Sequence, residues 1–296
     1  MPRVLIGCVA YILSLCVIAA PEPHWVNSGL NNRDITFSPD GDVLLTTIMS
    51  PKNLFAAIAV SHKIDGEWAP LEIAPFSGEH QDIEAMFAPD GMRLFFSSKR
   101  PKPDRDGDDW DIWEVAYNAG AWSEPVNLGA PVNTTGDEYY PSIANNSNLY
   151  FTATREGGMG GEDIYRAIFR DGRFIRVENL GDGVNKETYE FNAFVAPDES
   201  YLIFGSQRRQ GELGGGDLYL SVRKEGVFQS ATMMQGGVNS KRLDYCPSVF
   251  NGRLYFTSER TIPLGVATDI EALSAAFRAP GNGLGDIYSV PFEPIN

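Results

Sequence analysis

The side chains able to do chemistry in this chain are mainly carboxylates and guanidinium groups, and they recur at fixed spacing. Glu138, Glu190 and Asp244 each stand five residues past an Asn, and Asn32 and Asp82 hold the matching places upstream. Asp34 and Glu84 follow two residues later. Arg100, Arg155, Arg208 and Arg260 each stand four residues past an aromatic residue. Clustered carboxylates raise one another's pKa, the device used in acid–base catalysis. A charged ring of this kind suits a cation, an amine or a polar sugar. If the chain hydrolyses glycosides, Asp34, Glu84, Glu138 and Glu190 are the candidate carboxylates, and a working pair must stand about 5–9.5 Å apart. The competing reading is structural: each Arg pairs with an acid such as Asp163, Asp217 or Asp286, and the ring acids cap backbone amides. Repetition favours this second reading, because an active site needs no copy in every unit.

Asp104, Asp106 and Asp108 alternate around Gly107. Hard oxygen ligands so spaced suit calcium, though no cofactor is expected and calcium is the alternative. The EF-hand pattern also needs Glu at its twelfth position, and residue 115 is Val. A solvated acidic loop is the plainer expectation. No G-x-S-x-G elbow, H-E-x-x-H helix, paired-Cys zinc motif or phosphate-binding loop occurs. Only His24, His62 and His80 exist, too few for a histidine metal cluster. No catalytic residue is therefore assigned outright.

The elements that must position these groups follow from an internal repeat. Phe37-Ser38-Pro39-Asp40-Gly41 returns as Phe87-Ala88-Pro89-Asp90-Gly91 and Val195-Ala196-Pro197-Asp198-Glu199, with weaker copies at Ala144–Ser147 and Phe250–Gly252. An apolar run follows each, and aligned on Leu44, Leu94, Leu149, Leu202 and Leu254 the spacings are 50, 55, 53 and 52. Asp-Ile/Leu-aromatic recurs from Asp111, Asp163, Asp217 and Asp286. A turn Gly before an aromatic recurs at Gly66/Trp68, Gly120/Trp122, Gly172/Phe174 and Gly226/Phe228. Each unit reads as four short antiparallel strands, a to d, joined by hairpin turns. That is the arithmetic of a propeller blade.

These signals resemble the WD40-like (PD40) repeats of TolB-type β-propellers over roughly residues 26–290. The resemblance implies an all-β single propeller. It implies no particular activity, since propellers bind, scaffold and catalyse alike. Repeats 3 and 5 depart from it by lacking Pro-Asp, and repeat 1 has Asn53-Leu54-Phe55 in place of Asp-Ile-Tyr.

Five four-stranded blades are expected, at approximately 28–77, 78–133, 134–185, 186–239 and 240–290. Six blades are the alternative, needing about 50 further residues. The last repeat ends before its strand d, so residues 21–27 are expected to join it. Val26-Asn27 matches the linkers Val132-Asn133, Val184-Asn185 and Val238-Asn239. Within 261–285 the last repeat carries an insertion. Thr268-Asp269-Ile270-Glu271 reads as a capping box, and Ile270, Leu273 and Phe277 share a helical face. A short helix is expected beside the channel, acting as a lid or as a plug that buries this face.

Residues 1–19 read as a secretory signal peptide, with Arg3, an apolar run and small residues before a cut after Ala19, leaving 20–296 as the propeller. The segment removed carries one Arg, which takes the charge from −15 to −16. Only Cys246 then remains, so no internal disulfide is expected. The acidic balance excludes a nucleic-acid binder. The expected protein is a periplasmic or secreted monomer with no membrane span after cleavage. It would bind an envelope or secreted protein, or a glycan, without catalysis. Its binding residues would be Asp82, Glu138, Glu190, Asp244 and the four arginines. The alternative is a glycoside hydrolase with its carboxylates in the central cavity.

Overall fold

The computed structural model describes residues 20–293 apart from 104, 119 and 264. The proposed signal segment, residues 1–19, lies outside the described residues. Among these residues the chain forms five antiparallel sheets and one helix. In blade 1 the strands run Asn31–Phe37, Val43–Met49, Ala56–Ile64, then Glu67–Trp68 with Glu72–Ile73 outermost. Blades 2, 3 and 4 repeat this order from Asp82, Glu138 and Tyr189. The expected five-bladed all-β propeller is what forms.

Blade 5 takes its inner three strands from Asp244–Phe250, Arg253–Ser258 and Asp286–Pro291, and its outermost from Glu22–Pro23. Glu22 pairs with Ser289 and Pro23 with Tyr288. The start of the described chain thus closes the ring.

The repeat leucines Leu44, Leu94, Leu149, Leu202 and Leu254 are all fully buried, as are Phe96, Phe151, Phe204 and Phe256. They fill the seams between neighbouring sheets. Four of the five seams are also locked by an Asn side chain. Asn133, Asn185 and Asn239 accept from and donate to the backbone of Ile112, Ile164 and Leu218. The turn between strands a and b needs a left-handed residue, supplied by Gly41 and Gly91 in two blades. In blade 4 Glu199 takes that conformation, φ 59°, and is held by Arg223, Asn148 and Tyr150.

The insertion forms a helix, Ile270–Arg278. Asp269 caps it, accepting from the Ala272 amide at 2.8 Å, so the cap falls one residue after the expected Thr268. The apolar face is not buried: Ile270 is 77% and Phe277 57% exposed. No residue of the helix lines the central cavity. Among the described residues no helix is long and apolar enough to cross a membrane.

Candidate functional site

Every inner strand carries a β-bulge at the same level, between Arg33 and Ile35, Ile83 and Met86, Tyr139 and Ser142, Phe191 and Phe194, and Tyr245 and Ser248. The bulged residue is left-handed each time: Asp34, Glu84, Tyr140, Asn192 and Cys246, with φ between 46° and 63°. A bulge re-aims side chains and frees an amide. Hydroxyls of the preceding blade catch three of those amides, Thr257 for Asp34, Thr47 for Glu84 and Thr152 for Asn192. Tyr140 gives its amide instead to Glu84 Oε2 at 2.7 Å.

The residue before each bulge faces a central cavity of about 550 Å³: Arg33, Ile83, Tyr139, Phe191 and Tyr245. Strand alternation adds Gln81 and Leu243 to the wall, with Met49, Lys99, Thr152 and Gln207 from the second strands. Trp110 and Glu162, the residues just before strand c of blades 2 and 3, complete it with Asn53. Their carbonyls accept the Glu138 and Glu190 amides at 2.8 and 2.9 Å. In blades 4 and 5 the same bond uses Gly216 and Gly285, so those walls carry no side chain there.

Glu84 forms the floor and is saturated. It accepts from the Tyr140 amide, Asn192 Nδ2 at 3.1 Å, Ser97 Oγ at 3.4 Å and the Arg33 guanidinium. Arg33 also reaches Cys246 Sγ at 3.3 Å and lies over the Tyr245 ring at 5.2 Å. Asp34 is 2% exposed, and its Oδ1 accepts from Thr47 Oγ1 at 3.0 Å. Its Oδ2 has no hydrogen-bond partner among the described residues. Burial pushes Asp34 up to about 8, Arg33 pulls it down, and the Glu84 charge pushes it further up. Asp34 does not line the cavity. Below this layer Tyr140 is 1% exposed and donates its hydroxyl to Pro247 O at 2.7 Å. A separate cavity of about 320 Å³ opens among the a–b turns, walled by Phe37, Met86, Phe194 and Phe250.

Glu162 differs from Glu84. Its backbone is fixed by the Glu190 bond and by a bridge to Tyr189. Its carboxylate makes no hydrogen bond or ion pair among the described residues. Burial, with the charges of Glu84 and Asp137, raises its pKa.

The structure places the expected acid ring elsewhere. Asp82, Glu138, Glu190 and Asp244 are fully buried at the blade seams. Arg100 reaches Asp82 at 2.8 Å, Arg155 reaches Glu138 at 3.2 Å and Arg260 reaches Asp244 at 3.2 Å. In blade 4 it is Arg209, not Arg208, that meets Glu190, at 2.9 Å. Each of these arginines lies near two aromatic rings, as Arg209 does with Phe204 and Tyr219 at 5.2 and 4.8 Å. Arg208 is exposed and stacks on Tyr189. The ring acids also accept backbone amides, from Thr134, Lys186 and Ser240. The strand-opening acids Asp163, Asp217 and Asp286 hold their own loops, through the Met159, Leu213 and Gly281 amides. Asp82 and Asp244 sit between Gln81 and Ile83 or Leu243 and Tyr245, so alternation turns them away from the cavity. Of the hydrolase candidates, Asp34 and Glu84 meet through Arg33, whereas Glu138 and Glu190 lie apart in their seams.

Asp104 lies outside the described residues. Asp106 and Asp108 are exposed. Their loop is organised by cations: Arg105 bonds Asp109 and Asp111 at 2.6 and 2.5 Å, and Lys102 Nζ donates to Gly107 O at 3.0 Å.

No protein-family model matches this chain, and no curated protein matches it. Among solved structures, a GH43_12 retrieved from capybara gut metagenome is similar over 96% of this chain and 55% of its own, at 12% identity and TM-score 0.56. The alpha-L-arabinofuranosidase from Lactobacillus brevis is similar over 93% and 94%, at 10% identity and TM-score 0.52. A puromycin-hydrolyzing peptidase of mycobacterium tuberculosis is similar at 11% identity and TM-score 0.42, over 77% of this chain. The chain spans about a third of that peptidase's length, 34%. These likenesses concern the fold.

Proposed function

We propose that this chain is an exported recognition propeller whose central cavity takes a saccharide, the glycan of an envelope or secreted partner. The observation that carries this reading is the composition of the cavity lining. Trp110 and Tyr139 offer rings, and Gln81 and Gln207 offer amides, around one open cavity of about 550 Å³. Aromatic faces with a few convergent polar groups suit a sugar's apolar faces and hydroxyls. Binding without catalysis fits the state of the carboxylates, because Glu84 has its lone pairs filled by four donors.

A glycoside hydrolase is the second reading. It is favoured by the likeness to the arabinofuranosidase and by the raised pKa of Glu162, which suits a general acid. The purified chain, titrated with neutral oligosaccharides while Trp fluorescence is followed, tests both. Saturable binding that Trp110→Ala weakens supports recognition, and no binding to any saccharide overturns it. Release of sugar that Glu162→Gln abolishes would instead favour the hydrolase.

A further inference from the structure

Glu162 stands where the repeat breaks. The residue before strand c is Gly216 in blade 4 and Gly285 in blade 5, and in blades 2 to 5 its carbonyl makes the same inter-blade bond. Blade 3 therefore needs no carboxylate there for its fold. Gly285 could not carry a side chain, since a Cβ would sit 2.5 Å from Asn31 Oδ1. Blade 3 leaves room at the same place, and the room is the cavity.

The cavity's other charges are already matched. Arg33 is taken by Glu84 and lies beside Asp34. Lys99 lies over the Trp110 ring at 5.4 Å and reaches the exposed Asp108 at 3.5 Å. Glu162 alone among the charged lining residues has no ion-pair partner within the described residues. An unpaired, partly buried carboxylate is costly, and a cation arriving with the ligand relieves that cost. Ring faces nearby attract the same charge.

We propose that the saccharide of the preceding reading is an amino sugar, and that Glu162 holds its protonated amine beside the ring faces of Tyr139 and Trp110. A neutral or N-acetylated sugar would leave Glu162 unpaired. An acidic sugar would be repelled by it.

The test titrates the full chain at pH 6 with glucosamine trimer, its fully N-acetylated form and a neutral glucose trimer. The amine form is expected to bind at least about tenfold more tightly than the other two, the scale of a charge-assisted hydrogen bond. Glu162→Gln should erase that ratio and keep the neutral-sugar affinity. Its thermal midpoint should not fall below the unaltered protein's, since the carboxylate supports no fold contact and its unpaired charge is a cost to the fold. Lys99→Met, which removes a competing cation, should widen the ratio. Equal affinity for all three sugars, or a ratio that survives Glu162→Gln, overturns the inference and leaves the saccharide reading standing. Failure of all three to bind overturns the inference, and the saccharide reading falls with it when the neutral oligosaccharides of the preceding test fail as well.

Discussion

Asn27 and Ile287 are 260 residues apart and clasp each other through two hydrogen bonds. The Ile287 amide donates to Asn27 Oδ1 at 2.8 Å, and Asn27 Nδ2 donates to the Ile287 carbonyl at 3.0 Å. Asn133, Asn185 and Asn239 make the same clasp with residues only 21 positions away. The ring closes by placing the last copy of a repeated local device on the other end of the chain.

Asn27→Ala should therefore destabilise the whole ring. The Ile287 amide would lose this acceptor, a cost of about 1–3 kcal/mol for a buried donor. Amide exchange in Asp286–Pro291 should accelerate, because Glu22–Pro23 would detach from its neighbour. A urea midpoint unchanged from the unaltered protein would show that the strand pairing alone closes the ring.

The blades, their order and this closure were legible because phase survives divergence. The Val-Asn linkers, the buried leucines and the Asp-Ile-Tyr starts each repeat at a near-constant period. Parity was harder. Asp82 and its counterparts were expected at the channel, yet alternation along strand a gives that wall to the residues on either side of them. The cavity residues Trp110 and Glu162 were missed for a related reason. A repeat pattern exposes what recurs, and these two mark the slot where the repeat varies. The apolar face of the helix was legible, but not that it stays exposed, because amphipathicity does not specify a partner.

Blade 4 shows how an offset count fails. Counting four past Phe204 reaches Arg208, but Arg208 is left-handed, φ 65°, and steps out of line. Arg209 takes the slot, bonding Ser206 Oγ at 2.9 Å and Glu190 Oε1 at 2.9 Å. Arg209→Ala should cost about 3–5 kcal/mol, because Glu190 is left charged and buried. Arg208→Ala should stay within about 0.5 kcal/mol. Parallel denaturant curves measure both, and equal losses would refute this assignment.

Glu84 ties four blades together by accepting from Ser97 in its own blade, Tyr140 in the next and Asn192 in the one beyond, while pairing with Arg33 of the first. Glu84→Ala should cost about 3–5 kcal/mol, since the buried Arg33 loses its main partner. Glu84→Gln should cost less, because the amide oxygen still serves one donor. A Glu84→Ala protein as stable as the original would mean that Arg33 finds Asp34 instead, and an ionised Asp34 would then appear as a lowered carboxyl pKa.

Asp34 fixes the pH dependence of stability. Its folded pKa, about 8, lies far above that of an unfolded Asp, about 3.9. Between those values the folded protein keeps a proton that the unfolded chain has released, so stability falls as pH rises, by at most about 1.4 kcal/mol per pH unit for one group. Asp286 and Glu138, raised by burial to about 6 and about 7, act in the same direction at lower pH. His24 acts oppositely, since burial lowers it to about 4 and its contribution is lost as pH falls below about 6.5. Between pH 7 and 8 Asp286 and His24 have largely finished titrating and Glu138 is completing its titration, so Asp34 gives the larger part of the slope. Asp34→Asn keeps a neutral side chain of the same shape against Thr47. Its urea midpoint should fall clearly less from pH 7 to 8 than that of the unaltered protein, the remaining fall coming from Glu138, and the variant should be the more stable at pH 8. Parallel slopes for the two proteins would mean that Asp34 is ionised at neutral pH, and that Arg33 rather than burial sets its state.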